Sequence, residues 1–203
     1  VRTEILAGVR GPAALGQQTQ EWVHHLLGYK APMGWNNQLT NKMLLNICFS
    51  TEKQLWAVQN FAEIIGGVQI SAGSLTNAVG IYPLIRVGRM TPYFDGFFSH
   101  FSTGLAEGRK RNFQFYFFAR PKINLIASNA LMYGKIEKSA EMLQKPTSYP
   151  TEQINHFVAE IDLGLTILVG NFSCSYTQKP TSAYVKGMYS HNVGNISLHY
   201  SWK

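Results

Sequence analysis

Eight segments of the chain alternate apolar and polar residues with a period of two, and this alternation limits the possible folds more strongly than any other feature. The segments are residues 1–9, 43–50, 64–72, 79–89, 113–125, 156–169, 171–177 and 195–202. Because successive side chains of a β-strand point to opposite faces, the alternation predicts an all-β, antiparallel protein with about eight visible strands. Several segments are longer than the roughly five or six residues typical of strands in globular proteins.

The two faces of the predicted strands differ sharply. In 156–169 one face carries only apolar residues from Phe157 to Val169, whereas the other carries Glu160, Asp162 and Thr166. A membrane-spanning β-barrel needs strands of about 9–11 residues with an apolar outer face. A soluble sandwich produces the same alternation, with its polar face in water. Aromatic residues at the ends of the apolar faces resemble the girdles of membrane barrels and favour the barrel, namely Trp56, Phe113, Tyr200 and Trp202.

Composition excludes two other classes of protein. Charged residues are only 14% of the chain and aromatic residues 13%, which excludes a disordered chain. No run of 18 apolar residues exists, which excludes membrane-spanning helices. The net charge of +7 suits anionic lipid or lipopolysaccharide phosphates as well as nucleic acid. Its densest cluster, Arg109–Arg111, lies in a predicted connection, and no nucleic-acid partner is predicted. Residues 1–203 are expected to form a single domain.

The connections between the strands predict the topology. Short turns are expected at 51–54, 74–77 and 170–171, and long connections at 10–39, 90–111 and 132–155. Bacterial barrels normally end in the periplasm and have short turns on that side. Counting back from the C-terminus therefore places the turns 51–54 and 170–171 in the periplasm and residues 12–28 on the outer side.

Residues 12–28 interrupt the alternation and predict a helix, with Pro12 in its first turn and Gly28 just past its end. Gln17, Gln20 and His24 share one stripe of this helix. An imidazole beside two carboxamides could serve catalysis, since a carboxamide can fix the His tautomer or hold a water. The alternative is an ordinary surface or packing histidine. A second stripe contains Leu15, Thr19, Trp22 and Leu26.

Glu160 and Asp162 are a second candidate site, because two carboxylates on one face could bind a metal or act as an acid–base pair. The interior of a barrel more often pairs such carboxylates with cations of neighbouring strands. Suitable cations are Arg86, Arg120 and Lys122. We therefore interpret the two carboxylates as structural.

A family resemblance rests on residues 8–39. The chain reads G-V-R-G-P-A-A-L-G-Q-Q-T-Q over 8–20, then His24, then G-W-N-N-Q-L over 34–39. This is similar to the signature of the outer-membrane lipid A 3′-O-deacylase family, roughly G-x-x-G-P-x-x-x-G-x-x-x-Q-x-x-x-H followed by G-W-x-x-Q-L. Weaker similarity continues to residues 191–198. Family members form a twelve-stranded barrel whose first elements have no match here, so the chain is expected to be N-terminally incomplete.

The resemblance implies a bacterial outer-membrane ester hydrolase that removes the 3′-linked acyloxyacyl chain of lipid A with calcium. His24 would be the general base for water, and Gln20 would shape the site. The expected partners are lipid A, lipopolysaccharide and outer-membrane lipids, and the expected state is a monomer. The resemblance further implies a set of substrate-binding residues, namely Gln17, Gly34, Trp35 and Gln38. The alternative is a catalytically inactive or structural outer-membrane barrel.

The calcium ligands are unknown from the sequence. The loop 29–33 after the helix contains no acidic residue. Glu21 is expected to project off the stripe of His24, because each helical residue turns by about 100°. Calcium takes six to eight oxygen ligands, so the 203-residue chain is expected to bind it weakly or not at all.

Overall fold

The part of the chain that the structure describes is all-β and antiparallel, with one α-helix. The computed structural model describes residues 1–35, 38–96, 112–132 and 154–200. The helix α1 comprises Gly16–Leu27. None of the helices in these described ranges is long and apolar enough to cross a membrane. The eight strands are β1 (Arg2–Arg10), β2 (Lys42–Val58), β3 (Ala62–Gly73), β4 (Thr76–Arg89), β5 (Phe113–Asn129), β6 (Phe157–Val169), β7 (Phe172–Thr181) and β8 (His191–Tyr200).

The strands form a single sheet in which each strand pairs with its neighbours in the chain, in the order β1 to β8. Every pairing is antiparallel, as the alternation predicted. Within the described residues β1 and β8 do not pair with each other, so the sheet is open. Successive connections therefore alternate between its two ends. Helix α1, the turn between β3 and β4 and the loop between β7 and β8 lie at one end, which we call the helix end.

The apolar face of the sheet is exposed and the polar face is buried, the reverse of a soluble protein. On β2, Leu45, Ile47 and Phe49 are exposed, whereas Asn46 and Cys48 are buried. Strands β3 to β6 repeat this arrangement: exposed positions include Ile70, Val79, Ile81, Phe117, Ile123, Leu163 and Val169, and buried ones Glu63, Arg86, Gln114, Asp162 and Thr166. An exposed apolar face of this kind requires apolar surroundings. This distribution of residues is the pattern of a membrane barrel wall.

Side chains of the polar face reach across several strands. Lys122 on β5 donates a hydrogen bond from Nζ to Oε1 of Gln69 on β3 at 2.9 Å, passing over Gly80 of the intervening strand. Tyr82 on β4 donates to Oε1 of Glu52 on β2 at 2.7 Å. These links join strands that are not neighbours and fix the polar face as the inner side of the sheet.

The turn predicted at 51–54 was wrong, because these residues lie within β2. The register of β2 against β3 shifts between Gln54 and Trp56, so Leu55 forms a β-bulge. Before the bulge the exposed apolar residues of β2 have odd numbers, and after it they have even numbers. A strict period of two therefore does not detect the rest of the strand. The strand turns instead at Gln59, whose φ of 47° is left-handed. The turns near 74–77 and at 170–171 are confirmed.

The helix begins later than predicted. Pro12–Ala14 form a separate 3-10 turn, and Leu15 with φ of 57° separates this turn from α1. Proline therefore starts the 3-10 turn rather than the α-helix. Gly28 ends the helix as expected, with φ of 69°. Three sequence predictions lie outside the described residues: the girdle residue Trp202, the basic cluster Arg109–Arg111 and most of the connections 90–111 and 132–155.

Candidate active site on helix α1

The start of the helical connection is fixed to the strand that returns after it. Gly11 has φ of 90°, and a Cβ there would lie 2.6 Å from the Leu39 carbonyl oxygen. The neighbouring backbone N–H of Ala13 donates to Oδ1 of Asn41 at 2.8 Å. Only glycine fits this close approach with a positive φ. The Gly11-Pro12 pair therefore directs the chain from β1 into α1 at a fixed position on the helix end.

The end of the helix turns the chain back over its last turn. Gly28 adopts the left-handed conformation that commonly ends helices. The Tyr29 backbone N–H then donates to the His24 carbonyl at 2.8 Å, and the Gly28 N–H donates to the His25 carbonyl at 3.3 Å. This reversal brings residues 29 and 30 beside the His24 side chain.

The backbone fixes the tautomer of His24. Its Nδ1 lies 2.7 Å from the Lys30 carbonyl oxygen. Because a carbonyl only accepts hydrogen bonds, the neutral ring carries its proton on Nδ1. The lone pair is therefore on Nε2, which lies 3.4 Å from Nε2 of Gln20. The geometry presents Nε2 as a base beside a carboxamide, as the i, i+4 spacing predicted.

The His24 ring is held but not enclosed. It is half-buried, and the Tyr29 ring meets it edge-on at a centroid distance of 5.8 Å. Gln20 is exposed. The base is thus accessible to water and to a molecule that approaches from the helix end.

A chain of carboxamide hydrogen bonds extends the site along the helix. Gln17 donates from Nε2 to Oε1 of Glu21 at 2.8 Å, and Gln38 donates from Nε2 to Oε1 of Gln17 at 3.2 Å. Glu21 was expected to project off this stripe, and that expectation was wrong, because its side chain bends back to the residue one turn earlier. Gln17 and Gln38, which are distant in sequence, therefore lie together.

Trp35 closes the other side of the helix start. A Cβ on Gly16 would lie 3.1 Å from the Trp35 ring, so the ring packs directly on the helix backbone. The indole Nε1–H is buried and has no hydrogen-bond partner within the described part of the chain. Gly34 is exposed with φ of 101°, and a Cβ on it would meet nothing within 4 Å beyond its chain neighbours. The structure therefore brings Trp35 to the helix and leaves Gly34 in the loop.

The described residues do not contain a preformed metal centre. Among residues 1–35, 38–96, 112–132 and 154–200, no three His, Cys, Asp or Glu side chains lie close enough to bind one ion. Near His24, the Glu21 carboxylate accepts a hydrogen bond from Gln17, and the remaining oxygens are carboxamides and carbonyls. Since calcium sites are built mainly from carboxylates, this set alone does not fit calcium.

The carboxylates of the polar face are paired, which confirms their structural interpretation. Asp162 forms an ion pair with Arg120, and Glu160 lies 3.4 Å from both Lys122 and Lys179. Each partner is on a neighbouring strand, as predicted. Lys179 was not among the predicted cations, because its strand extends four residues beyond the predicted end.

A second paired cluster fixes the segment after β4. Arg86 forms a buried ion pair with Glu63 and lies over the rings of Tyr93 and Tyr116. The Tyr93 backbone N–H donates to Oε2 of Glu63 at 3.2 Å. Burial raises the pKa of Tyr93, so this phenol stays neutral. The cluster thus pairs the buried charges of Arg86 and Glu63 with each other.

Comparison with known proteins identifies the family of the chain and agrees with its fold. Residues 1–202 match the family described as Outer membrane protein LpxR. The chain belongs to this family. A solved structure, LpxR from Salmonella typhimurium, has the same fold with a TM-score of 0.76 and 20% sequence identity, over 98% of this chain and 66% of the Salmonella chain. No curated protein matches the chain.

Membership of the LpxR family explains the reversed faces of the sheet. This LpxR-family chain is an outer-membrane protein, and its eight strands form part of a barrel wall. The exposed apolar face contacts the membrane, and the buried polar face lines the barrel interior. The chain spans 66% of the length of the Salmonella relative.

Three groups that take part in the site were not predicted from the sequence. The Lys30 carbonyl, the Tyr29 ring and the Glu21 carboxylate contact the stripe of His24 and Gln17. Gly28 was the available signal for the first two, because a glycine just past a helix end reverses the chain over the last turn. The i, i+4 spacing of Gln17 and Glu21 was the signal for the third.

Proposed function

We propose that this protein is an ester hydrolase that removes the 3′-linked acyloxyacyl chain of lipid A, with His24 as general base. Membership of the LpxR family supports the substrate class. The observation that carries the proposal is the hydrogen bond from His24 Nδ1 to the Lys30 carbonyl, which leaves Nε2 unprotonated, 3.4 Å from the amide nitrogen of Gln20.

The reaction needs one proton moved in each direction. Nε2 of His24 takes a proton from a water whose oxygen forms a bond to the ester carbonyl carbon. The imidazolium then gives this proton to the sugar 3′-oxygen as its bond to the carbonyl carbon breaks, which yields a free acid and an alcohol. The Lys30 carbonyl accepts from Nδ1–H throughout, and the C-terminal end of α1 favours a positive ring.

Four further residues are proposed to bind substrate. Gln17 and Gln38 already share a hydrogen bond and offer amide donors to ester and phosphate oxygens. Trp35 offers an indole N–H that lacks a partner in the described structure. Gly34 keeps the neighbouring loop free of a side chain. The net charge of +7 favours the phosphorylated headgroup of lipid A.

Calcium is proposed from the family resemblance alone. When bound, it would supply Lewis-acid polarisation of the ester carbonyl. The described residues near His24 do not provide its carboxylate ligands, so no step is assigned to it here.

A structural barrel is the second candidate, favoured by the same observation on the metal ligands and by the paired charges of the interior. In that case His24 would only cap the last turn of α1. The two candidates differ in one product, the deacylated lipid A.

Mass spectrometry of lipid A distinguishes them. The protein is expressed in a Gram-negative host without this activity, and lipid A is compared with that of the empty-vector strain. A loss of one 3′-acyloxyacyl mass is expected. Unchanged lipid A, together with folded protein in the outer membrane, would rule out the hydrolase.

A further inference from the structure

Helix α1 is amphipathic, but unlike a helix of a soluble protein it directs its polar side towards the rest of the chain and its apolar side outwards. Its polar stripe, Gln17, Gln20 and His24, makes hydrogen bonds with the segment that follows it, to Lys30 and Gln38. Its apolar stripe, which we call the outer stripe, consists of Leu15, Thr19, Trp22 and Leu26. Trp22 precedes His24 by two residues, a rotation of about 200°, so the two stripes lie on opposite sides.

The outer stripe is exposed along its whole length. Trp22 is 66% exposed and Leu26 is 67% exposed. Leu15, which immediately precedes α1, is also exposed, as are Tyr29 and Met33 in the segment that follows the helix. In water, a helix of this composition would turn its large apolar side chains towards the protein. The observed orientation requires an apolar medium on the outer side of α1.

The polar group of the outer stripe is already satisfied. The Thr19 hydroxyl donates to the Leu15 carbonyl at 2.9 Å, within the helix itself. Besides this hydroxyl, the only side-chain hydrogen-bonding group of the stripe is the indole N–H of Trp22, and an indole suits the boundary between acyl chains and headgroups. Acyl chains, which form no hydrogen bonds, suit such a surface.

The outer stripe adjoins the membrane face of the sheet. The last cross-strand apolar pair before the connection is Val9 and Met43, both exposed on the apolar face. The chain leaves β1 one residue later and enters α1 through Pro12–Ala14. The helix is thus connected directly to the lipid-contacting surface.

Aromatic residues mark both ends of the apolar face. At the end away from α1, exposed aromatic side chains occur on four strands and one turn, namely Trp56, Phe61, Phe113, Phe172 and Tyr200. At the helix end, the exposed aromatic residues in the described part of the sheet and its loops include Phe157 and Tyr189. Trp22 and Tyr29 add two at the point where β1 ends and β2 begins, as expected of residues at a membrane interface.

We infer that the outer stripe of α1 is a membrane-docking surface embedded among lipid acyl chains, with Trp22 and Tyr29 at the headgroup boundary. Helices of this kind lie in the membrane interface with their apolar face inserted. The predicted topology places this surface in the outer leaflet. The docking itself does not depend on hydrolysis. If the proposed function also holds, docking keeps Nε2 of His24 at the depth of the lipid A esters.

Spin labels on the outer stripe test the inference. Leu26→Cys and Trp22→Cys are made separately in a Cys48→Ser, Cys174→Ala background, labelled with a nitroxide, and folded into vesicles of phosphatidylethanolamine and phosphatidylglycerol. Collision of the label with oxygen, which concentrates in lipid, is compared with collision with a water-soluble nickel complex. Leu45→Cys on the membrane face and Lys186→Cys in an exposed loop are the matched lipid and water controls.

The result expected for the Leu26→Cys label is high oxygen collision and low nickel collision, close to the values for the Leu45→Cys label. The Trp22→Cys label, at the headgroup boundary, should give nickel collision between the values of the Leu45→Cys and Lys186→Cys labels. Nickel collision equal to that of the Lys186→Cys label would place the stripe in water and overturn the inference. Low collision with both reagents would show that protein covers the stripe, and this result would also overturn the inference. Since two positions are labelled independently, a failure of one variant to fold leaves the other to decide. The readout is independent of hydrolysis, so an inactive enzyme would not alter it.

Discussion

At the residue scale, the His24 ring is oriented by a backbone carbonyl rather than by a carboxylate. A carbonyl cannot take the ring proton, so the tautomer with an unprotonated Nε2 is maintained whatever the side chain at position 30. The sequence could predict the Gln20 contact from its i, i+4 spacing and the end of the helix from Gly28. It could not predict which carbonyl the reversed chain brings to Nδ1, because that depends on the path of residues 29 and 30.

Replacing Gln20 tests the role of the carboxamide. Gln20→Ala removes the group 3.4 Å from Nε2 of His24. A hydrogen bond of about 0.5–1.5 kcal/mol is lost, so kcat is expected to fall by roughly threefold to tenfold with little change in KM. The measurement is the steady-state rate of acyl release. Gln18→Ala, at an exposed position outside the stripe, is the control, and an equal loss there would contradict the assignment.

Replacing Glu63 tests the buried pair of the barrel interior. Glu63 and Arg86 are 2% and 5% exposed, and removing one partner of such a pair costs about 3–5 kcal/mol. Glu63→Gln should lower the free energy of unfolding by that order, measured by urea titration in lipid vesicles. Glu4→Gln breaks the exposed pair with Arg2 and should change it by about 1 kcal/mol or less. Equal losses in the free energy of unfolding for the two variants would contradict the expectation that burial makes the Glu63–Arg86 pair more important for stability.

At the element scale, the alternation predicted that the strands exist, but it did not predict where each strand ends. The polar residues 51–54 resembled a turn because the bulge at Leu55 shifts the period by one residue. Thr51 and Lys53 also interrupt the apolar face. A bulge depends on the partner strand, so the local sequence of β2 contains no sign that pairing continues. The helix start was misplaced for a related reason, because Leu15 adopts a conformation that propensity does not predict.

Replacing Gly28 tests the coupling between the helix end and the site. Gly28→Ala places a Cβ at φ of 69°, at a cost of about 1–2 kcal/mol. The last turn should fray and the His24–Lys30 contact should weaken, so hydrolysis falls while the barrel stays folded. Gly28→Asn should retain more activity, since Asn tolerates this conformation. Gly8→Ala, where a Cβ meets nothing within 4 Å, is the control. Full activity of Gly28→Ala would contradict the coupling.

At the scale of the whole molecule, the reversed burial of the two faces was predictable because it follows from the alternation itself. The pairing of β1 to β8 in chain order also follows from short antiparallel connections. The open edges of the sheet were not predictable, since closure depends on strand tilt and stagger rather than on the residues of any strand. The site was predictable only in part, because it combines one helix with a loop that returns to it.

Calcium binding is the prediction that belongs to the whole chain. The described residues do not group three metal-ligating side chains, so the 203-residue chain is expected to bind calcium weakly or not at all. Titration calorimetry of the refolded chain in detergent measures this. A dissociation constant in the low micromolar range, lost in a Gln17→Ala or His24→Ala variant, would mean that a site of different composition exists on the His24 face.

The most direct test of the central claim compares two adjacent histidines. His24 and His25 share the last turn of α1, but only His24 contacts Lys30 and Gln20. Acyl release from lipid A is measured for both alanine variants of the vesicle-inserted protein. General-base catalysis contributes roughly 10²–10⁴-fold, so His24→Ala should lose activity by that factor while His25→Ala keeps the wild-type rate. Equal rates for the two variants would contradict the account.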